Sequence, residues 1–280
     1  MEVAAVSMAA WLLEHQPVVQ SYAWIVTFAV VALWESFQPR RALATAMPAR
    51  WSRNLGLLGF DILVVRVCVP VTGLAAALWA QQRGWGVLNL LALPFWISAV
   101  ISVAALDLGN YSVHRLMHAV PALWRCHKIH HSDLDVDWST AVRHHPFEYV
   151  IAAAANLGIV VLIGASPAAV VLAATLDFAF SLFNHGNVAL PQSIERTLRF
   201  LLVTPDMHRV HHSVIRSESD RNFGNVFPWW DRLFATYQSA PAGDHRGMDL
   251  GLDEARSPAE VTLAKLLLLP FRSRLVVASA

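Results

Sequence analysis

His114-Arg-Leu-Met-His118, His127-Lys-Ile-His130-His131, His144-His145-Pro146, Asn184-His185 and His208-Arg-Val-His211-His212 follow one another between residues 114 and 212. Together they hold eleven of the chain's thirteen histidines, with His15 and His245 outside. Residues four apart share a helix face, so His114 and His118 can converge on one ion. The i, i+3, i+4 pattern of His127, His130 and His131 also shares a face, and His208, His211 and His212 repeat it. Crowded imidazoles without a cation cost free energy as soon as any is protonated. One ion takes roughly four to six ligands, so about eight to ten imidazoles imply two ions. A lone histidine is as readily a satisfied core or surface residue; two H-x-x-H-H boxes beside an H-x-x-x-H pair are not.

Working outward, the rest of the chain reads as a membrane protein. Of its 280 residues 56% are apolar and only 15% charged, and the mean hydropathy is +0.45. Soluble domains sit nearer ~45–50% apolar and ~25% charged. The net charge of +1 lacks the basic excess of a nucleic-acid partner. Cys68 and Cys126 form no C-x-x-C and no disulfide framework, although Cys126 adjoins His127. The start Met-Glu-Val-Ala-Ala carries an acid where a secretion signal has a basic region, which predicts no removable signal peptide. No internal repeat or low-complexity segment stands out.

In chain order, Val3 to Leu13 is too short to span and is expected to pack at the membrane surface. Val18 to Phe37 has the length that ~30 Å of hydrocarbon requires. The following link carries Arg40, Arg41, Arg50 and Arg53 with no acid, which places it in the cytoplasm. A second span is expected from about Leu55 to Ala80, with Asp61 and Arg66 inside it either packed against other helices or functional. A third runs from about Leu88 to Tyr111 and delivers His114 and His118 to the cytoplasmic side. The apolar segments Glu148 to Ile163 and Ala168 to Phe183, about sixteen residues each, would rise only ~24 Å. They read as a helical hairpin that returns His185 to the face of the other boxes. Phe227-Pro228-Trp229-Trp230 suits either a substrate entrance or the interface. Ser257-Pro258-Ala259-Glu260 reads as a helix start, and Pro258 to Leu269, with Lys265 inside and Arg272 and Arg274 following, as a helix on the cytoplasmic leaflet. The expected fold is therefore all-α: a polytopic membrane bundle of three full spans plus a short hairpin, with a cytoplasmic histidine-rich helical cap.

The ordered boxes, with Leu123-Trp124-Arg125-x-His127 and Arg143-x-His145-Pro146-x-Glu148, resemble the fatty acid hydroxylase and sterol desaturase superfamily of integral membrane di-iron oxygenases. His185-x-Asn187 with Leu190-Pro191, Thr204-Pro205 before His208, and Asn222-x-Gly224 through Trp229, Asp231, Arg232, Leu233 and Phe234 to Thr236 extend the likeness. It implies membrane helices over 1–99, a catalytic domain over 100–238 and a tail over 239–280. It also implies two iron ions, O2 as co-substrate, and hydroxylation or desaturation of an unactivated C–H bond of a lipid. The ligands it implies are His114, His118, His127, His130, His131, His145, His185, His208, His211 and His212. His145 is preferred to His144 because it occupies the family's Arg-x-His-Pro-x-Glu position. Asp107, Asp133, His144 and Asn187 are candidates for orienting those ligands. Hydroxylases of ceramide-linked fatty acids resemble a pattern with a further His four residues before His185, where this chain has Ser181; that points to the sterol-desaturase-like branch. Nothing in the sequence binds haem, flavin or an iron–sulfur cluster, so an external donor is implied, such as a ferredoxin or a b-type cytochrome with its reductase.

Residue type alone leaves the metal open, because imidazole suits iron, zinc and copper and zinc can replace iron. A membrane protein that binds or transports divalent metals is the alternative; histidines deep within several spans would favour it. A zinc hydrolase would carry three protein ligands and an acidic base as in H-E-x-x-H, which is missing.

Overall fold

The computed structural model describes residues 2–257 and 259–272. Helices α1 (Glu2–Glu14), α2 (Gln16–Phe37), α3 (Met47–Cys68), α4 (Gly73–Arg83) and α5 (Phe95–Ala119) come first. They are followed by α6 (Pro121–His131), α7 (Pro146–Ile163), α8 (Pro167–His185), α9 (Gln192–Leu198) and α10 (Pro205–His211). The short α11 (Arg216–Ser219), α12 (Trp229–Leu233) and α13 (Leu263–Leu268) complete the set. Among the described residues, extended pairing is limited to the isolated bridges Pro39–Val188 and Ser213–Leu250, so the fold is all-helical.

Among the described residues, five stretches are long and apolar enough to cross a membrane: Gln16–Phe37, Met47–Leu90, Phe95–Ala119, Pro146–Ile163 and Pro167–His185. Their outer faces are apolar and open, as Ile25, Leu63, Val67 and Val100 illustrate, which is how helices facing lipid are built. The expected second span, Leu55 to Ala80, is not one helix. Pro70 has no N–H to continue α3, and Thr72 starts α4 by accepting the Ala75 N–H at 3.1 Å. Within α3, Asp61 faces the bundle and Arg66 the exterior, so the two do not pair. The third helix begins later than expected, at Phe95, because Pro94 sets its N-terminus. It then runs past Tyr111, so His114 and His118 lie inside α5 rather than beyond it. The hairpin is present as α7 and α8, turned at Gly164 with φ +67° and restarted by the Ser166 cap. A Cβ on Gly86 would stand 2.2 Å from Gly164 N, so the α4–α5 connection packs directly on this turn. The two helices have 18 and 19 residues, a rise of about 27–28 Å each and more than the sequence pattern suggested.

Helix α2 packs on α8, α3 on α7, and α5 on both arms of the hairpin. Helices α6 and α10 and the turns around them form a polar cap on the ends of α5 and α8. Two buried arginines fasten it. Arg50, 1% exposed on α3, bonds Asp133 at 2.9 Å and Asp137 at 2.6 Å and donates to the Asp135 carbonyl. Arg143 donates to the Ile129 carbonyl, the Asn54 amide oxygen and Ser132. The C-terminal segment also folds onto this body, with Val261, Leu266 and Leu269 packed against Leu57 and Ile129. Glu260 accepts from Ser257, as the capping pattern predicts, yet helix forms only over Leu263–Leu268. Pro258 and Arg274 lie outside the described residues.

Replacing Arg50 by Met leaves Asp133 and Asp137 buried and unpaired. Breaking such a pair costs about 3–5 kcal/mol. Chemical unfolding of the detergent-solubilised protein should show that loss; a change below about 1 kcal/mol would mean that the arginine does not hold the cap.

Candidate metal centre

The two H-x-x-H-H boxes are divided between two groups of imidazoles rather than serving one each. His114, His118, His127, His131 and His211 form one group, and His130, His185, His208 and His212 the other, each with its donor atoms within 4.8 Å of one another. From α6, the i and i+4 residues His127 and His131 join the first group and His130 the second. From α10 the assignment is reversed, with His208 and His212 in the second group and His211 in the first. Each box therefore bridges both groups and brings them side by side, with the His131 and His212 rings 4.8 Å apart.

The outer ring nitrogens decide what the inner ones can do. Nδ1 of His114 donates to the Phe223 carbonyl at 2.8 Å, of His118 to Asp220 at 3.0 Å, and of His127 to Glu148 at 2.7 Å. Nδ1 of His130 donates to the Arg143 carbonyl, of His185 to the Ser181 carbonyl and of His211 to the Arg221 carbonyl. A neutral imidazole that donates through Nδ1 presents a bare lone pair at Nε2. Yet Nε2 of His114 and His127 stand 3.1 Å apart, and those of His130 and His185 likewise. With no proton to share, these pairs are repulsive unless a cation lies between them. His211 Nε2 is buried with no hydrogen-bond partner among the described residues. At a metal–nitrogen distance of about 2.1 Å, two ligands at right angles stand roughly 3.0 Å apart. The spacings here, 3.0–3.2 Å, fit that arrangement.

Nine of the ten expected ligands are thus brought together, and His145 is not. Its Nδ1 caps α7 by accepting the Phe147 N–H at 3.2 Å, and its Nε2 faces the Leu267 carbonyl. Pro146 stands at the first position of α7, and the histidine before it takes the cap position. The neighbouring His144 stacks on His130 at 4.5 Å and donates to Glu148 at 2.8 Å. A third group, His127, His144 and Glu148, is held by these same hydrogen bonds. Asp107 does not orient a histidine; it accepts from Val226 N, Phe227 N and Trp230 Nε1. Asp133 serves Arg50, Asn54 and Thr140 instead, and Asn187 exchanges hydrogen bonds with the Arg41 backbone. Cys126 is a buried free thiol outside every group.

One loop unmarked by the spacing supports the first group. Residues 220–223 supply the Asp220 carboxylate and the Arg221 and Phe223 carbonyls that hold His118, His211 and His114. Asn222 occupies the left-handed region at φ +55°, and its side chain ties the loop to Met207 O and Gln238 O. Asp231 then accepts from Phe223 N and Gly224 N. Asn222 and Asp231 were legible as members of a motif, but their target was not.

Burial, followed by the repulsion of neighbouring imidazoles, holds His130, His131, His208, His211 and His212 well below the ordinary value of 6.5. At His144 burial opposes charge, but Glu148 outweighs it and raises the pKa. Burial would raise Asp133, but Arg50 and Arg143 outweigh it and keep the carboxylate ionised.

Two outcomes follow from this geometry. Asn222→Ala frees the loop behind three histidines of the first group only, and loss of such outer support weakens metal binding about 10–100-fold. Metal titration should find one of two binding steps weakened and the other unchanged. For the metal-free protein, the unfolded chain protonates its histidines near 6.5 while the folded chain refuses the protons. Stability should be fully present above about pH 6.5 and fall as the pH drops below it; a flat profile in thermal unfolding between pH 7.5 and 5.5 would contradict the buried neutral cluster.

Comparison with known proteins agrees with the site. The fatty acid hydroxylase family model matches residues 99–236. Human alkylglycerol monooxygenase is 32% identical over 160 residues, 55% of this chain and 34% of that protein. Ornithine lipid hydroxylase OlsE of Rhizobium tropici is 24% identical over 234 residues, 78% of this chain and 66% of that protein. A very-long-chain aldehyde decarbonylase of Oryza sativa subsp. japonica is 24% identical over 167 residues, 54% of this chain and 26% of that protein. The chain spans between about a quarter and two thirds of the length of these relatives. No solved structure matches it. Through residues 99–236, which carry both imidazole groups, the chain belongs to the fatty acid hydroxylase and sterol desaturase superfamily.

Proposed function

We propose that this chain is a membrane-bound, O2-dependent oxidoreductase that hydroxylates an unactivated C–H bond of a lipid, with desaturation as the related outcome. The observation that carries the reading is the pairing of bare Nε2 atoms in two adjoining all-imidazole groups at the ends of membrane-type helices. Two iron ions held there, one by His114, His118, His127, His131 and His211 and one by His130, His185, His208 and His212, would supply the reduction of O2 and the oxidising equivalents for the C–H bond. The balance is one C–H bond, one O2, two electrons and two protons in, and one C–OH and one water out. The protein's own part is to hold the imidazoles out of water and to fix six of their rings through Nδ1. The electrons come from a separate donor, a ferredoxin or b-type cytochrome with its reductase.

The relatives are named for an alkylglycerol and an ornithine lipid, which favours a polar-headed membrane lipid as the substrate class. A cytoplasmic site is favoured by the arginine-rich link after α2. The arginine-rich stretch continues into the first turn of α3, where Arg50 is bonded into the cap that carries the histidines, and the positive-inside rule assigns such a stretch to the cytoplasm. Three full spans and the hairpin give that topology, with 1–99 as membrane helices, 100–238 as the catalytic domain and 239–280 as the tail.

Elemental analysis of anaerobically purified protein tests the reading. Wild type should hold about two irons per chain. His130→Ala and His211→Ala, one from each group, should each lower that figure. His145→Ala should leave it unchanged. A metal-free wild type, with stability unaltered in the first two variants, would overturn the proposal.

A further inference from the structure

Between α2, α4, α5, α7 and α8 lies a cavity of about 540 Å³. Val103, Leu106, Ala153, Val170 and Ala174 give it apolar walls, but Asn110, Asn156 and Asp177 also line it. Amides and a carboxyl group at such depth are costly, and within membrane helices they mark ligand pathways. Their bonds here are only partly used. Asp177 Oδ1 accepts from Asn110 Nδ2 at 2.9 Å and from Asn225 Nδ2 at 2.8 Å. Asp177 Oδ2 has no hydrogen-bond partner among the described residues, and Asn156 reaches Asn110 only at 3.5 Å. One oxygen thus secures the helices and the other is left to the cavity.

Gln16, Gln20 and Thr72 line the cavity where α2 and α4 meet the early part of α8, while Asn110 and Asp177 lie on the side of the histidines. Asn110 precedes His114 by one turn of α5, about 6 Å, and Asp177 precedes His185 by about 12 Å of α8. Tyr149 lines the cavity and packs its ring on His144 at 4.9 Å, which in turn stacks on His130 at 4.5 Å. An aliphatic chain lying in the cavity therefore meets a hydrogen-bonding group on the side that faces the imidazoles.

We propose that this cavity holds the aliphatic chain of the substrate, and that Asp177 with Asn110 and Asn156 hydrogen-bonds an uncharged O–H or N–H group of the lipid near the carbon attacked. The inference deepens the oxygenase reading and rests on it for the word substrate. A pocket with a few convergent polar groups on apolar walls orients its ligand through them. A site built for such a group rejects the analogue lacking it, because its polar atoms are then left unpaired.

The test is equilibrium binding to the full chain in lipid nanodiscs, read without turnover. Radiolabelled 1-O-hexadecylglycerol is displaced by its unlabelled form, by hexadecanamide or by hexadecane, which separates the hydroxyl source, the amide source and neither. Both donor lipids, or one of them, should compete at concentrations at least about tenfold below hexadecane. Asp177→Leu should abolish that preference, and Ala174→Phe, which fills the cavity, should abolish binding, each with wild-type metal content. If Asp177→Leu fails to fold, Asn156→Leu serves in its place, since that side chain makes only the 3.5 Å contact, and should lower the preference severalfold. Equal competition by hexadecane, a preference that survives these substitutions, or binding that survives Ala174→Phe would overturn the inference. Iron-free protein that keeps the preference would sink the oxygenase reading alone, and iron-loaded protein without it would sink this inference alone.

Discussion

Imidazoles packed out of water set a requirement that the surroundings meet for most of the rings: an acceptor for the Nδ1 proton, which leaves Nε2 free to serve. Glu148, Asp220 and the carbonyls of Arg143, Ser181, Arg221 and Phe223 meet that requirement for six rings. Four of these acceptors are backbone atoms, so the loops and helix ends must be held in place for the side chains to point correctly. The buried arginines acquire their meaning here. Arg143 holds the end of α6 through the Ile129 carbonyl while its own carbonyl orients His130, so one residue fixes both the helix and the ring.

The same requirement explains why the cap is polar inside. A hydrophobic core could pack α6 and α10 against the bundle, but it offers no acceptors for imidazole N–H groups. The chain places its apolar packing along the membrane-type helices and reserves the cap for ion pairs and amides. Arg50 with Asp133 and Asp137 ties α3 to the turn after α6, and Asn222 ties the 220–223 loop to α10. An exchange of these for apolar residues would preserve volume and lose direction.

The alternating division of the boxes follows from helix geometry. At 100° per residue, positions i and i+4 lie nearly in line along the helix and i+3 falls beside them. A single H-x-x-H-H box can thus give two rings to one group and one to its neighbour. Two such helices facing each other, α6 and α10, complete both groups only if their assignments are reversed, and they are. His114 and His118 from α5 and His185 from α8 then fill the remaining places, which requires α5 to extend beyond its apolar stretch as one continuous helix.

What the sequence disclosed, and what it hid, divides along the same line between local and distant. The length of the apolar runs over residues 18–37, 148–163 and 168–183 reveals the helices, since it depends only on neighbours in the chain. Proline effects are local too, yet Pro70 and Pro94 act against an apolar run that reads on without them, which is why the second and third spans were drawn too simply. His145 was preferred to His144 from its place in a motif. It takes the cap position of α7 before Pro146, and it is His144 that stacks on the cluster. The acceptors behind the rings were the least legible part. Most are carbonyls, which every residue carries, and their roles depend on a loop about a hundred residues away from α5, fixed by an asparagine at positive φ. A carbonyl leaves no mark in the residue alphabet, so only the fold could reveal that Arg221 and Phe223 orient histidines through their backbones.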